Sequence, residues 1–293
     1  MGFNSLDDII MRSEASGKNF FETVIEDDMD ERQVTADESM DRMQKIYNSM
    51  KNADRSYDDK LISSSGLVGG DGKKINTAYQ KGELLSGEFV GLAIEKAIKM
   101  GESNACMKKI VAAPTAGSSG VIPAVLLTYE ELKNEGTVKM TEAMFVAAAI
   151  GEIIALRASI SGAAGGCQAE IGSASAMAAG ALTYLRNGDC RCIANAAGLA
   201  LKSLLGLACD PVAGLVEVPC VKRNVIGAVN AITSSDMPIA GVISKIPPDE
   251  IIDAMKSIGD IMPACLRETA QGGLAATPAG IKIKTMLIEQ DQD

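Results

Sequence analysis

The chain has 293 residues, of which 47% are hydrophobic and 3% aromatic, so aliphatic and small side chains must pack its core. The formal net charge of −10 argues against a nucleic-acid-binding protein, which needs a basic face. Because the sequence contains no His, it excludes a Ser-His-Asp triad, a His proton shuttle and mixed Cys/His zinc sites. Any general base is then a Lys, a carboxylate, a Tyr, a Cys, an activated hydroxyl or a group from another chain.

Cysteine usage indicates a reducing compartment. The chain has seven cysteines, an odd number, and its first residues lack the basic region and apolar run of a signal peptide. We therefore expect a cytoplasmic protein, in which cysteine clusters are more often metal or catalytic sites than disulfides. Charged residues interrupt the most apolar region, 143–208, so we interpret it as a buried helical core and expect no membrane association.

Residues 1–60 are predicted to form acidic, amphipathic helices. Thr35 and Glu38 have the spacing of a capping box, in which each side chain satisfies a free amide at a helix start. Met40, Tyr47 and Met50 then recur at helical spacing and predict a buried face. We interpret the carboxylates on the other faces as solvated surface.

Residues 62–74 are predicted to form a long loop that contains three hydroxyls and four glycines. Such a loop offers backbone amides to a carboxylate or a phosphate, although its spacing is not that of a P-loop. Composition alone favours a flexible linker. A helix is predicted next, over residues 86–100.

A hydroxyl-rich turn, residues 114–120, precedes a predicted helix with Pro123 in its first turn. Helix N-termini present unpaired N–H groups and the positive end of the helix dipole, which favour anions. The alternative interpretation is an ordinary N-cap cluster.

The remaining elements are predicted to be helical, and signals for strands are sparse. The fold class is therefore mainly α, with a single helical domain over residues 1–293 and a fraying polar tail at 288–293. Further helices are predicted at 141–157, 168–186, 191–207, 224–234, 248–258 and 262–271. Pro238 is interpreted as a loop marker.

Three cysteines lie in segments shaped by glycine and proline. Cys209 and Cys220 are the ends of a turn-rich stretch with two prolines and Gly214, and Cys167 follows a glycine-rich approach, 162–166. Three thiolates on rigid loops favour an iron–sulfur cluster, zinc or Cu(I), and the spacings match neither ferredoxin pattern, so a metal site stays open here. Small, buried hydrophobic roles are expected for the other four: Cys106, Cys190, Cys192 and Cys265.

Three segments together resemble the iron–sulfur L-serine dehydratases, also called L-serine ammonia-lyases. They are residues 166–172, residues 209–220 with the following Arg223 and Asn224, and residues 266–275. The resemblance extends from about residue 60 to 280 and is to the family's catalytic, or alpha, part. It implies a largely helical fold, L-serine as substrate and a separate regulatory beta chain as partner.

The resemblance also implies a [4Fe–4S] cofactor and a ligand set. By motif, the cysteine ligands are Cys167, Cys209 and Cys220. The implied reaction eliminates water from L-serine and leaves an enamine that hydrolyses to pyruvate and ammonia. A three-cysteine cluster has one iron without a protein thiolate, which acts as a Lewis acid on the leaving hydroxyl.

This chemistry also requires donors for the substrate carboxylate and a base for the Cα proton. Lys73 and Ser65 are the predicted catalytic residues, the lysine if burial lowers its pKa and the serine if it has a proton acceptor. Lys74 and Lys222 are alternatives, and a residue of the beta chain is the remaining one. Arg223 binds the substrate, stabilises the cluster or forms a surface salt bridge. The predicted substrate-binding residues are Ser63, Ser64, Ser65, Gly66, Thr115, Ser118, Ser119 and Arg223.

Two other functions remain open from the sequence. A related β-eliminating lyase would act on L-threonine or L-cysteine, and the loops do not discriminate between these side chains. A non-enzymatic iron–sulfur sensor or a structural zinc protein would use the same cysteines. A sensor needs an output module, and the sequence shows none.

Overall fold

The computed structural model describes residues 2–290, which form thirteen helices and no strand. The mainly-α prediction is therefore confirmed for this part of the chain. No helix in the same range is both long and apolar enough to cross a bilayer. The helices are α1 (Leu6–Ser16), α2 (Phe20–Arg32), α3 (Ala36–Arg55), α4 (Asp71–Gln80), α5 (Gly87–Ala105), α6 (Val121–Lys133), α7 (Thr137–Arg157), α8 (Gly162–Gly165), α9 (Ser173–Leu185), α10 (Cys190–Lys202), α11 (Cys220–Ile239), α12 (Pro248–Ile261) and α13 (Pro278–Gln290).

Helix α9 is the centre of the core, and all of its residues are buried. It packs against α6, α7, α10 and α11. Most of its side chains are Ala, Ser or Gly, which allow neighbouring helices to approach closely. At Gly180 an added Cβ would lie only 2.1 Å from the Cδ1 atom of Ile150. Close backbone approach therefore replaces the aromatic packing that the composition lacks.

The N-terminal helices α1, α2 and α3 cover this core from one side, against α7 and α10. The capping box predicted at Thr35 and Glu38 is present at the start of α3. Tyr47 and Met50 are fully buried, and Met40 packs against the core, which confirms the predicted apolar face.

Helix α4 begins at Asp71, inside the segment predicted to be a loop. The Glu102 carboxylate, on α5, accepts hydrogen bonds from the amides of Asp71 and Gly72, at 2.8 and 3.2 Å, and one from the Tyr57 hydroxyl. This carboxylate caps the helix from a distant part of the chain, so no local signal marked its start. Lys73 consequently lies on a helix instead of a loop.

Two further predictions about secondary structure are wrong. Residues 262–271 contain only a 3-10 turn, Ala264–Leu266, because this segment pairs with Cys209: the Cys209 amide donates to Leu266 and the Glu268 amide donates to Cys209. Pro238 lies inside the last turn of α11, one residue before the helix ends, so only one helix hydrogen bond is lost and it does not mark a loop. In the predicted fraying tail, residues 291–293 lie outside the described range and 288–290 belong to α13.

Candidate functional site

The three predicted ligand cysteines come from three different local structures. Cys167 follows Gly166, whose φ of 77° is readily adopted by glycine, and precedes a π-helical turn, Gln168–Gly172, that leads into α9. Cys209 lies in an extended segment that forms an isolated parallel bridge with Arg267. Cys220 is the first residue of α11. All seven cysteines are free thiols.

These three thiols lie close enough to interact electrostatically. Burial, followed by the charges of Cys167 and Glu170, raises the pKa of Cys209 far above its ordinary value, and the charge of Cys220 adds to the shift. Burial raises the pKa of Cys167 to about 11, although the neighbouring Arg223 guanidinium opposes this change. Burial also raises the pKa of Cys220 to about 12, with the charge of Cys167 contributing. The structure therefore brings the predicted ligand set together.

Two carboxylates adjoin the thiols at Gly162. An added Cβ on this glycine would lie 2.7 Å from Glu170 Oε2, 2.9 Å from Cys209 Sγ and 3.1 Å from Glu268 Oε2. The Cys209 thiol contacts Glu170 Oε2 at 3.8 Å. Burial raises the pKa of Glu170, while a hydrogen bond from the Thr115 hydroxyl opposes the shift. Because Gly162 has no side chain, the two carboxylates and the Cys209 thiol can converge on its Cα.

The donor set fits a cluster better than a single metal ion. Within residues 2–290, no three His, Cys, Asp or Glu side chains are arranged as the ligands of one ion. The ligands of a cubane cluster bind different irons, so they stand further apart than the ligands of one ion. Three interacting thiols have the chemistry of iron–sulfur ligands, and Cys167, Cys209 and Cys220 are the residues that would hold the implied [4Fe–4S] group.

The turn at residues 115–120 lies directly against this site. The Thr115 hydroxyl contacts Ser118 Oγ at 3.0 Å, and its interaction with Glu170 opposes the rise of that carboxyl's pKa. Ser118 and Ser119 are fully buried, and Ser119 Oγ has no hydrogen-bond partner among the described residues. Thr115 is thus the member of this predicted set that reaches the site carboxylates.

Asn224 joins this turn to the cysteine segment. Its side-chain oxygen accepts from the Gly120 amide at 2.8 Å, and its amide group donates to the carbonyls of Gly117 and Cys220 at 2.8 and 2.9 Å. The side chain is buried, so breaking these hydrogen bonds would leave backbone groups without a partner in water.

Replacing Asn224 with Ala is expected to lower the free energy of unfolding by about 2–4 kcal/mol, because buried backbone groups lose their partners. Urea unfolding of the purified chain measures this change. The control is Asn52→Ala, at an exposed position on α3, which is expected to stay within about 0.5 kcal/mol of the parent. Equal stability of the two variants would contradict the role assigned to Asn224.

The loop at residues 63–66 is attached to the same cysteine segment through Glu217. Ser63 and Ser65 are buried, and both hydroxyls donate to Glu217 Oε2. Ser64 is exposed, and Gly66 has a φ of 74° in the turn that closes the loop. Glu217 is also the proton acceptor that a catalytic Ser65 would require.

Arg223 is directed at the cysteine segment rather than at solvent. One guanidinium nitrogen donates to the Ala208 carbonyl at 2.8 Å, another pairs with Asp210 at 2.8 Å, and the group also interacts with the Cys167 thiol. Asp210 in turn accepts from the Leu274 amide at 2.7 Å. Of the three roles considered for Arg223, this geometry favours organisation and electrostatic support of the thiol site.

The candidate lysines lie away from these contacts. Lys73 is exposed and lines a surface cavity of about 530 Å³ with Tyr57 and Lys99. Lys74 and Lys222 are exposed and both pair with Asp71, at 2.7 and 3.0 Å. Hydrogen bonding to Asp71 raises the pKa of Lys74, which is opposite to the change a lysine base needs.

Four side chains that contact the candidate site were not assigned a role from the sequence: Glu170, Glu217, Glu268 and Asn224. Glu170 and Glu217 lie inside the two cysteine motifs, so their proximity to the cysteines in sequence could have indicated that they lie near the site. The other four cysteines are half-buried, which differs from the full burial expected of small hydrophobic residues. At Cys190 this partial exposure accompanies a contact with Ser13 Oγ on α1.

Comparison with known proteins gives consistent matches. The sequence model that defines the serine dehydratase alpha chain family matches residues 15–275. A probable L-serine dehydratase alpha chain of Bacillus subtilis is 46% identical over 263 residues, which are 90% of this chain and 88% of the relative. A probable L-serine dehydratase alpha chain of Latilactobacillus sakei is 53% identical over 68% of this chain and 95% of its own length. The L-serine dehydratase alpha chain of Peptoniphilus asaccharolyticus is 36% identical over 98% of this chain and 99% of its own.

Proposed function

The chain belongs to the serine dehydratase alpha chain family, and from this premise we propose that it is an L-serine ammonia-lyase that forms pyruvate and ammonia. The observation that carries the proposal is that two carboxylates meet the Cys209 thiol at Gly162, next to Cys167, Cys220 and the hydroxyl-rich turn. A purely structural thiol site would have no need of free carboxylates beside it. A lyase for an amino acid needs groups that bind both ends of its substrate.

The proposed cofactor is a [4Fe–4S] cluster held by Cys167, Cys209 and Cys220. When bound, such a cluster supplies a Lewis acid for the departing hydroxyl. Arg223 holds the segment around Cys209 in place through the Ala208 carbonyl and Asp210. Its positive charge beside Cys167 also favours the thiolate form that binding to iron requires.

The residues of this chain are proposed to bind the two charged ends of L-serine separately. Glu170 and Glu268 attract the ammonium group, because both carboxylates lie beside the Cys209 thiol at Gly162. The loops at 63–66 and 115–120 provide hydroxyl and amide donors for the substrate carboxylate. Acceptors for the ammonium group and donors for the carboxylate together orient Cα with respect to the leaving hydroxyl.

Changing Glu170 to Gln is expected to lower kcat/KM for L-serine about a hundredfold, since loss of one partner of a desolvated charge pair costs about 3 kcal/mol. Anaerobic steady-state kinetics measure this effect. Glu142→Gln is the matched control, because Glu142 accepts from Tyr184 on another face of the core. Cluster absorbance is recorded for each variant, and loss of absorbance in Glu170→Gln would assign Glu170 to cluster binding instead.

A second chain and a reducing cytoplasm complete the proposal. The relatives are named alpha chains, which supports a separate beta chain as the partner. Seven free cysteines suit a compartment in which thiols stay reduced. Of the two predicted catalytic residues, Lys73 is exposed, and Ser65 is buried with its hydroxyl donating to Glu217.

The deciding experiment is an anaerobic assay of pyruvate release from L-serine, with and without added iron, in the presence of the partner chain. If 2-oxobutanoate is released from L-threonine, or pyruvate from L-cysteine, with a higher kcat/KM than that for L-serine, the alternative amino acid is the substrate. Metal analysis should give about four iron and four sulfide per chain. Zinc in place of iron would refute the cluster.

A further inference from the structure

Glu217 is a buried carboxylate that lies between Cys209 and Cys220 yet has no Lys or Arg partner among residues 2–290. Its Oε2 atom accepts from the hydroxyls of Ser63, at 2.9 Å, and Ser65, at 2.5 Å. The two segments are separated by about 150 residues in sequence, and Glu217 is 6% exposed. A carboxylate buried this deeply requires good hydrogen-bond donors, and the two hydroxyls are the donors present.

The same hydroxyls determine the shape of the loop. Ser63 Oγ accepts from the Val68 amide at 3.3 Å, and Ser65 Oγ accepts from the Leu67 amide at 3.1 Å. Because each hydroxyl has one proton, donation to Glu217 leaves both oxygens free to accept from these amides. Two backbone bonds, from the Ser63 amide to Val68 and from the Gly66 amide to Ser63, close the turn. Glu217 thereby sets the orientation of the hydroxyls on which the turn depends.

Three donors of the loop remain without a protein partner in the described range. They are the backbone amides of Ser64 and Ser65 and the hydroxyl of Ser64, which is exposed. Consecutive amides of this kind form a concave site for an anion. The position of Glu217 is tied to the cysteine segment, since its carbonyl accepts from the Val221 amide in the first turn of α11. The free donors of the loop are thus held at a fixed position relative to Cys220.

We propose that Glu217 is a positioning residue, which holds the 63–68 loop so that the amides of Ser64 and Ser65 and the Ser64 hydroxyl receive the substrate carboxylate. The inference rests on the proposed function, because it assigns the carboxylate subsite of that same reaction. Ser63 and Ser65 then act through loop geometry, and Ser64 is the member of the predicted serine set that touches substrate.

The test compares Glu217→Gln, the double variant Ser63→Ala/Ser65→Ala and the control Glu142→Gln, each cluster-loaded and combined with the partner chain. Hydrogen–deuterium exchange of a peptide covering residues 61–68 reports on the loop without any need for turnover. Steady-state kinetics with L-serine separate KM from kcat. L-Serinamide, which lacks the carboxylate, is measured as a competitive inhibitor.

Glu217→Gln and the double variant are expected to exchange faster at residues 63–68 and to raise KM for L-serine about tenfold, the size of one lost hydrogen bond to a charged group. The kcat, the cluster absorbance and the inhibition constant of L-serinamide should change by less than about twofold. Glu142→Gln should match the parent chain in every measurement.

Unchanged exchange in both Glu217→Gln and the double variant, which removes both hydroxyl donors, would overturn the contact between Glu217 and the loop. Faster exchange with unchanged KM would show that the loop does not bind the substrate, and a fall in kcat at constant KM would move Ser65 and Glu217 into proton transfer. If the parent enzyme fails to turn over L-serine at all, the proposed function and its carboxylate subsite both fail, while the exchange data still decide whether Glu217 holds the loop.

Discussion

Replacing any one of Cys167, Cys209 and Cys220 with Ser is expected to remove the cluster absorbance and to reduce pyruvate release from L-serine by about a thousandfold or more. The reason is geometric as well as chemical. Each thiol lies on a different segment, so a hydroxyl at one position leaves the other two cysteines without the third ligand that the fold supplies. Anaerobic reconstitution, visible absorbance and the pyruvate assay measure both effects on the same sample.

Cys190→Ser is the matched control for these variants. Cys190 is a half-buried thiol at the start of α10 and contacts Ser13 instead of the site. It should reconstitute and turn over L-serine like the parent chain. Full activity in a variant of Cys167, Cys209 or Cys220 would remove that cysteine from the ligand set. Loss of the cluster in Cys190→Ser would show that the ligands had been assigned wrongly.

Glycine and proline mark the three candidate ligand cysteines in the sequence, and the family resemblance implies their role as ligands. Gly166 precedes Cys167 with a positive φ, and Pro219 precedes Cys220 at the start of α11. Glu170 and Glu217 also lie inside the cysteine motifs, but the contacts that suggest their roles are not local. Each depends on partners from distant segments, Thr115 and Gly162 for the first and the serine loop for the second. Periodicity and spacing within one segment contain no information about these contacts.

The same distinction explains which parts of the fold were predictable. Helices such as α6 and α7 were expected because apolar residues recur within each segment. Helix α4 was missed because its cap, Glu102, comes from α5. Residues 262–271 were wrongly expected to be helical because their backbone pairs with Cys209, which is more than fifty residues away. Tertiary contacts override local propensity where the site is assembled.

The general base is the part of this chemistry for which the chain's own residues offer the weakest candidates. The sequence has no His, and Lys73 is exposed at a cavity that the cysteines do not line. Lys74 and Lys222 are held by Asp71 at the surface. A lysine base needs desolvation to bring its pKa near neutrality, and none of these three side chains is buried. A residue of the beta chain placed at the open side of the site would meet the requirement.

We therefore expect the isolated chain, with its cluster rebuilt, to bind L-serine but to turn it over about a hundredfold to ten-thousandfold more slowly than the two-chain enzyme, the usual range for a missing general base. Binding is measured by the change that L-serine causes in the cluster spectrum, with L-alanine, which lacks the hydroxyl, as the control ligand. Adding the beta chain should restore turnover without a comparable change in L-serine affinity. Full turnover by the isolated chain would place the base among its own carboxylates, hydroxyls and lysines. No spectral response to L-serine in the isolated chain would instead mean that the partner completes the binding site as well as the catalytic one.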